Sequence, residues 1–412
     1  MAHPDISVAQ EGIADLESNR KTDLSERRLR RISIWIMLFF LFQGSLGAVW
    51  DREWHAYVGR DQFWTPPHAL IYSCAAGVGL MALGLVLAET WRSRCKRANA
   101  NEISTVRVLV FFSAPLGFII TGSGALLALI AAPLDNYWHE LFGIDVALWA
   151  PFHLMGITGA MIGIVGIVYV FAAEEVRDRQ LARPVRRFLG LTALEWGVLL
   201  VLGSLMNFIL IGFLQFPVPS FGSLSLSTYP LPLVMGATFC FTGAIRFTGR
   251  PGAALLIVLF LLLNTVAVEL FIPWAIRAGV ALEGLAYRSP GKVPMFSWAY
   301  ALLPLIFLIP AFLIDSVAFW GRRHLGSRVG KTARSIGLIG LFIAPLIVLP
   351  APFVLQSYSP YAPIFLPQTG LLVPPGLTAF VLLVFSVSVL GTGALGAILG
   401  AEFGDVWRWN TH

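Results

Sequence analysis

The stretch ISIWIMLFFLFQGSLGAVW, residues 32–50, decides the fold class of this chain. It carries no charged side chain, and a helix of roughly 20 apolar residues is what crosses the hydrocarbon core of a bilayer. Comparable stretches recur along the chain, in which hydrophobic residues make up 57% of the sequence and charged residues 13%. A soluble domain of this length needs more polar surface than that. The sequence therefore predicts an all-α, polytopic transmembrane bundle.

The apolar stretches indicate about ten membrane spans. They lie near residues 32–50, 65–89, 106–132, 147–173, 189–213, 229–247, 253–276, 295–320, 335–356 and 372–399. Clusters of arginine and lysine precede the first span and follow the second, fourth, sixth and eighth spans. Basic loops stay in the cytoplasm by the positive-inside rule. We therefore expect both termini to be cytoplasmic, in a bacterial-type inner or plasma membrane.

Polar residues divide the chain unevenly. We expect a polar cytoplasmic tail at 1–31 and a second cytoplasmic tail at 402–412. Between the tails, four helices over 32–176 carry most of the polar clusters, and a basic connector over 177–188 follows them. The remaining six helices, over 189–401, contain few polar residues. The sequence therefore predicts a functional half and a six-helix half to which no role is assigned.

Charge and cysteine content exclude two other classes of protein. The formal net charge is +6, but the cations lie in short clusters between apolar spans, which orients helices in a bilayer. We therefore expect no nucleic acid partner. The three cysteines, Cys74, Cys95 and Cys240, show no paired spacing, so neither a disulfide framework nor a CxxC metal site is predicted.

Two predicted outer turns repeat one order of polar residues. WDREWH at 50–55 and LDNYWH at 134–139 each place an aspartate four residues before a histidine, so both side chains share a helix face. A second histidine follows near the start of the next span, just after a proline that suits a first helical turn. Each helical hairpin thus offers three metal ligands: Asp51, His55 and His68 in the first, and Asp135, His139 and His153 in the second.

Imidazole and carboxylate ligands suit copper, iron, zinc or manganese. The two hairpins form a parallel repeat about an axis along the membrane normal, so both ligand sets should lie at similar depth. One alternative is interfacial decoration, because tryptophan is enriched where helices leave the membrane. The doubled order of residues disfavours it. Haem ligation by histidine pairs is a second alternative, and the neighbouring aspartates disfavour that one.

Further polar and aromatic residues surround the ligands. We expect Asp61 and Asp145 to orient the imidazoles through hydrogen bonds. Four tryptophans are expected to shield the ligands from water: Trp54, Trp64, Trp138 and Trp149. Glu269 lies at the same predicted end of span seven and could supply a proton or a further carboxylate, with pairing to Arg277 as the simpler alternative.

The segment DREWHAYVGRDQFWTPPH, residues 51–68, resembles the first metal-binding stretch of the C subunit of the copper membrane monooxygenases, the particulate methane and ammonia monooxygenases. The two share the order Asp, three residues, His, twelve residues, His, and the Thr65-Pro66 pair ahead of the last histidine. The second set is similar to that subunit's second metal site, although the family has asparagine at the position of Asp135. The resemblance covers about residues 32–175.

This resemblance implies one or two copper ions and O2-dependent oxidation of a small apolar or nitrogenous molecule. It also implies partner subunits, with a homo-oligomer as the alternative. The extra charge of Asp135 favours a harder or higher-valent metal at the second site. Two further readings stay open: a non-enzymatic protein that binds or transports copper or another divalent metal, and a carboxylate-rich di-iron or zinc enzyme that uses the same residues.

Overall fold

The computed structural model describes residues 6–59, 63–95, 105–142, 150–212, 220–221, 224–226, 228–324, 333–350, 365–367 and 375–408. The helices are α1 (Ile6–Tyr57), α2 (Pro66–Arg94), α3 (Leu116–Phe142), α4 (Pro151–Gln180), α5 (Ala193–Gly212), α6 (Pro230–Thr248), α7 (Ala253–Glu283), α8 (Trp298–Ala301), α9 (Leu308–His324), α10 (Ala333–Val348) and α11 (Pro375–Trp407). A 3₁₀ turn over Leu303–Phe307 leads into α9. Within these ranges, nine helices are long and apolar enough to cross a membrane, which confirms the predicted polytopic bundle.

Short antiparallel strands join some of the helices. β1 (Thr105–Val108) pairs with β2 (Phe112–Pro115), and β3 (Arg187–Phe188) pairs with β4 (Leu191–Thr192). A three-stranded sheet has the order β5 (Ser220–Phe221), β6 (Leu224–Leu226), β7 (Phe365–Pro367).

The structure changes the bounds of two predicted spans. Span three was expected from residue 106, but the β1–β2 hairpin occupies 105–115 and α3 begins only at Leu116. Pro115 explains the start, because proline has no N–H to donate inside a helix. The ninth span, predicted over 335–356, is described in part: α10 covers it as far as Val348, and residues 351–356 lie outside the described ranges.

The first four helices form a closed group. α1 packs against α2, α2 against α3, α3 against α4, and α4 returns to α1. This group is continuous with the rest of the bundle, because α4 and α1 both contact α5 and α1 also contacts α7. The largest core is built around α5 and α6, whose apolar windows are mostly buried.

Glycines bring α3 and α4 into backbone contact. A Cβ added at Gly124 would lie 2.4 Å from the backbone nitrogen of Gly163, and one added at Gly159 would lie 2.6 Å from that of Ala128. Helices in lipid associate through such close van der Waals packing, since the lipid supplies no hydrophobic force between them. Small residues therefore set the separation of this pair.

The C-terminal turns of α2 and α4 lie at the end of the bundle opposite the predicted ligands, and we call this the basic end. Ion pairs join the helices there. The Arg30 side chain, only 3% exposed, lies 2.9 Å from Glu89 of α2 and 3.6 Å from Glu174 of α4. Arg27 lies 3.0 Å from Asp178, which Arg31 also pairs with. Buried charges require such partners, so this network fixes α1 against α2 and α4.

We expect Gly124→Ala to lower the free energy of unfolding by about 1–3 kcal/mol, because the added methyl overlaps the α4 backbone. The control is Gly84→Ala on α2, where an added Cβ meets nothing within 4 Å. This control should be neutral or stabilising by up to about 1 kcal/mol, since alanine favours helix over glycine. Thermal unfolding of both variants in detergent tests the contrast, and equal melting temperatures would contradict it.

Candidate metal centres

The structure assembles two groups of potential metal ligands. One contains Asp51, His55 and His68, and the other contains Asp135, His139 and His153. In each group, one ligand atom per residue lies within 4.8 Å of the other two. The aspartate and first histidine come from the last turns of α1 or α3, and the second histidine from the first turn of α2 or α4.

In the first group the two imidazoles face one carboxylate. Nε2 of His55 lies 3.6 Å from Oδ2 of Asp51, and Nε2 of His68 lies 3.1 Å from Oδ1. The Oδ1 atom is buried and makes no hydrogen bond with any residue that the structure describes. The His68 imidazole is therefore close to Oδ1 of Asp51, but the two groups are not in hydrogen-bonding geometry.

The second group repeats this arrangement. Nε2 of His139 lies 3.4 Å from Oδ2 of Asp135, and Nε2 of His153 lies 3.0 Å from the same oxygen. The other carboxylate oxygen, Oδ1, is buried without a hydrogen bond to the described part of the chain. Its lone pairs are therefore available to a cation.

These distances fit a shared metal ion. Zinc–ligand bonds of about 2.0–2.2 Å in a tetrahedral set place neighbouring ligand atoms roughly 3.4 Å apart, and the carboxylate–imidazole separations in the two groups run from 3.0 to 3.6 Å. Two nitrogens and one oxygen form a donor set suited to first-row transition metals. Both groups therefore fit a metal in donor type and in spacing.

Helix starts place the second histidine of each group. Thr65 is the N-cap of α2, and its Oγ1 accepts a hydrogen bond from the backbone N–H of His68 at 3.4 Å. Ala150 is the N-cap of α4 and makes no side-chain cap bond. In both helices proline occupies the first position, where its missing N–H costs nothing, and histidine occupies the third.

Below the ligands, the two hairpins use small residues at matched positions. A Cβ added at Gly47, four residues before Asp51, would lie 3.0 Å from Ile71, three residues after His68. The equivalent pair in the second hairpin is Ala131 and Gly156, with 3.6 Å between the alanine methyl and an added Cβ. The repeat therefore extends beyond the ligands, with the glycine on the first helix in one hairpin and on the second helix in the other.

The predicted aromatic shield is uneven. Trp54 is 1% exposed, but its ring packs against α7, where a Cβ added at Gly279 would lie 2.9 Å from it. Trp138 stacks on Phe142 at 4.3 Å between ring centroids. Trp64 is 74% exposed, and its ring centroid lies 6.1 Å from that of Tyr72. Trp149 and the two predicted orienting acids, Asp61 and Asp145, lie outside the described residues.

Glu269 is not part of either ligand group. It is 7% exposed and accepts a hydrogen bond from the backbone N–H of Ser297 at 3.3 Å. It faces the end of α1 from α7, within electrostatic range of Arg52 and Glu53. A role for Glu269 beside the first group stays a prediction.

Sequence reasoning missed two residues near the first group. The Tyr72 ring lies 5.5 Å from the His68 ring at an angle of 33°, and its spacing of four residues from His68 was the available signal. Arg288 donates its backbone N–H to the Tyr57 carbonyl at 2.7 Å and packs on Gly59. No spacing indicates that second contact, because it joins the segment after α7 to the end of α1.

Comparison of the chain with family models, with curated proteins and with solved structures finds no match. The resemblance to the copper membrane monooxygenases therefore depends on the quoted residues and spacings, and the function has to be argued from the site.

Proposed function

We propose that this integral membrane protein holds one transition-metal ion in each of its first two helical hairpins. Asp51, His55 and His68 are the ligands of one ion, and Asp135, His139 and His153 are the ligands of the other. One observation carries the proposal: the same three residue types converge twice, at matched helix positions, with each imidazole 3.0–3.6 Å from the carboxylate and all three ligand atoms within 4.8 Å of one another. A single such cluster can be incidental, whereas a duplicated one requires a shared cause.

The number of ligands favours a reactive site. Structural zinc sites use four protein ligands, whereas catalytic sites use three and leave a position for water or substrate. Among the residues that the structure describes, each group here supplies three. The imidazoles offer neutral nitrogens, the aspartate offsets one positive charge of the ion, and the limited exposure of these side chains restricts water.

Copper is the ion that the resemblance favours, and the corresponding function is O2-dependent oxidation of a small molecule. When bound, copper would supply one-electron redox chemistry towards O2. A second candidate is non-haem iron, because two histidines and one carboxylate are the ligand set of non-haem iron oxygenases. The residues proposed as ligands are the same in both cases.

Close helix packing disfavours metal transport. Transport requires polar groups and space along the path of the ion. Beneath the second group, Gly124 and Gly163 bring α3 and α4 into backbone contact. Metal is therefore expected to stay bound rather than pass between these helices.

We expect purified wild-type protein to hold about two transition-metal ions per chain, one in each three-ligand site. His55→Ala and His139→Ala should each lose about one ion, and the double variant should lose both. His324→Ala, at the opposite end of the bundle, is the matched control and should keep full occupancy. Elemental analysis after expression with ample copper, iron and zinc measures the count and the identity. A metal-free wild type, or full occupancy in both single variants, would refute the proposal.

Catalysis is tested separately from binding. Metal-loaded wild type given a reductant and small apolar or nitrogenous substrates should consume O2 and form hydroxylated product, while the His55→Ala, His139→Ala double variant should not. Metal bound without substrate-dependent O2 consumption would indicate a non-enzymatic metal protein and would overturn the oxidative part of the proposal.

We expect Asp135→Asn to weaken binding of Cu²⁺ at the second group more than binding of Cu⁺, by about tenfold for a loss of 1.4 kcal/mol. The reason is that the lost carboxylate charge stabilises the higher-valent ion more strongly. Titration of both ions into the His55→Ala background isolates the second group. Asp51→Asn in the His139→Ala background is the matched control for the first group. An equal or larger loss for Cu⁺ would contradict the charge argument.

A further inference from the structure

A cavity of about 750 Å³ opens at the basic end of the bundle, far from the ligand groups along the helices. Three separate segments form it: the connector from α4 to α5, the turn from α6 to α7, and the residue after α11. Its lining includes four arginines, Arg179, Arg187, Arg250 and Arg408, and one acid, Glu195. The fold therefore brings arginine side chains from distant parts of the chain together around one cavity.

The single acid of the lining is already neutralised. Arg179 donates hydrogen bonds to Glu195 at 2.8 Å and to Glu175 at 2.9 Å, and both carboxylates are buried. Glu195 also accepts the backbone N–H of Thr192 at 2.8 Å. The remaining arginines therefore give the cavity a net positive charge.

Two of those arginines, Arg187 and Arg250, have guanidinium N–H groups that donate to no described residue. Arg187 donates to the Gly190 carbonyl at 3.0 Å, which uses one of the five N–H groups of a guanidinium. The Arg250 guanidinium makes no hydrogen bond within the described part of the chain, where only its backbone N–H has an acceptor. An anion in the cavity would supply the missing acceptors.

Glycines hold two guanidinium groups at the cavity wall. Gly190 has φ +81°, and a Cβ added there would lie 2.3 Å from Nη1 of Arg250. Gly249 has φ +64°, and its added Cβ would lie 2.9 Å from Nη1 of Arg408. Both turns need the left-handed conformation that glycine adopts without strain. The same glycines leave the space in which the guanidiniums pack on the backbone.

We propose that this cavity binds a phosphate-bearing anion. The planar guanidinium of arginine can donate paired hydrogen bonds to phosphate oxygens. Several arginine side chains line this cavity, and no unpaired acid lies among the described lining residues. Two sources share this chemistry, a phospholipid headgroup and a soluble phosphate compound. The neighbouring Phe188 and Leu189, which are 70% and 72% exposed, suit the membrane interface, and basic pockets between helices bind lipid headgroups there.

The test uses the full chain purified in detergent, with two kinds of probe. Phosphatidylglycerol against phosphatidylcholine, read by native mass spectrometry, tests the lipid source, and inorganic phosphate and pyrophosphate, read by calorimetry, test the soluble source. Whichever probe the wild type binds, the Arg187→Gln, Arg250→Gln double variant should bind it with an affinity lower by about tenfold or more, because the variant loses charge-assisted hydrogen bonds. The Arg186→Gln, Arg107→Gln variant, which removes the same charge from exposed positions outside the cavity, should bind as wild type does.

Selective loss for phosphatidylglycerol would support the headgroup source, and selective loss for the soluble probes would support the other. If no probe binds, or if both double variants lose affinity equally, the proposal fails.

A second variant tests the geometry without changing the charge. Gly190→Ala should displace the Arg250 guanidinium and weaken binding. Gly291→Ala introduces the same strain at φ +80° but meets nothing within 4 Å, so it should bind normally. Equal binding by these two folded variants would show that the placement of Arg250 is irrelevant, and would overturn the proposed site.

Discussion

Close packing between the two helices of a hairpin is the constraint on which the candidate metal centres depend. Each ligand group draws on both helices, so its geometry follows from their separation. In a membrane that separation is set by side-chain volume at the contact, because lipid offers no hydrophobic drive to bring helices together. One turn from the ligands, a Cβ added at Gly47 would lie only 3.0 Å from Ile71, whereas one added at Gly156 would make an ordinary contact of 3.6 Å with Ala131. A larger residue at Gly47 would therefore push against α2, which carries His68 of the first group.

The two hairpins have the same types of ligand residue, but different residues pack around the two groups. The end of α1 is packed against α7, with Trp54 buried beside Gly279, and the segment after α7 bonds to the Tyr57 carbonyl. Beside the second group, the described contacts of Trp138 are with rings of its own hairpin, Phe142 and Phe152. A metal ion responds to the dielectric and to solvent access around its ligands. Two ions held by identical residue types would therefore differ in redox potential and in exchange rate.

The spacing of residues along the sequence predicted the features that depend on neighbouring residues, which are the helical spans and the aspartate–histidine pairs. The hydrophobic stretches gave the bundle, and the gap of four residues from aspartate to histidine placed each pair on one helix face, as the structure has it. The sequence did not reveal the start of α3, where Pro115 ends a strand inside an apolar stretch. It also did not reveal the arginine-lined cavity. Arg187, Arg250 and Arg408 come from segments far apart along the chain, and only the folded bundle brings them together.

The ion pairs at the basic end link the insertion of the chain to its final packing. Arg27, Arg28, Arg30 and Arg31 lie in the N-terminal part of α1, and by the positive-inside rule such cations are expected to orient a helix as it enters the membrane. Once α4 has been made, Arg31 pairs with Asp178, 147 residues later, and Arg30 lies between acids of α2 and α4. The same side chains are therefore expected to orient α1 during insertion, and in the folded bundle they join it to α2 and α4. An inverted α1 would remove Arg27, Arg30 and Arg31 from the buried Glu174 and Asp178, which would keep Arg177 and Arg183 as their described cationic partners, so an error in topology would also weaken the closure of the four-helix group.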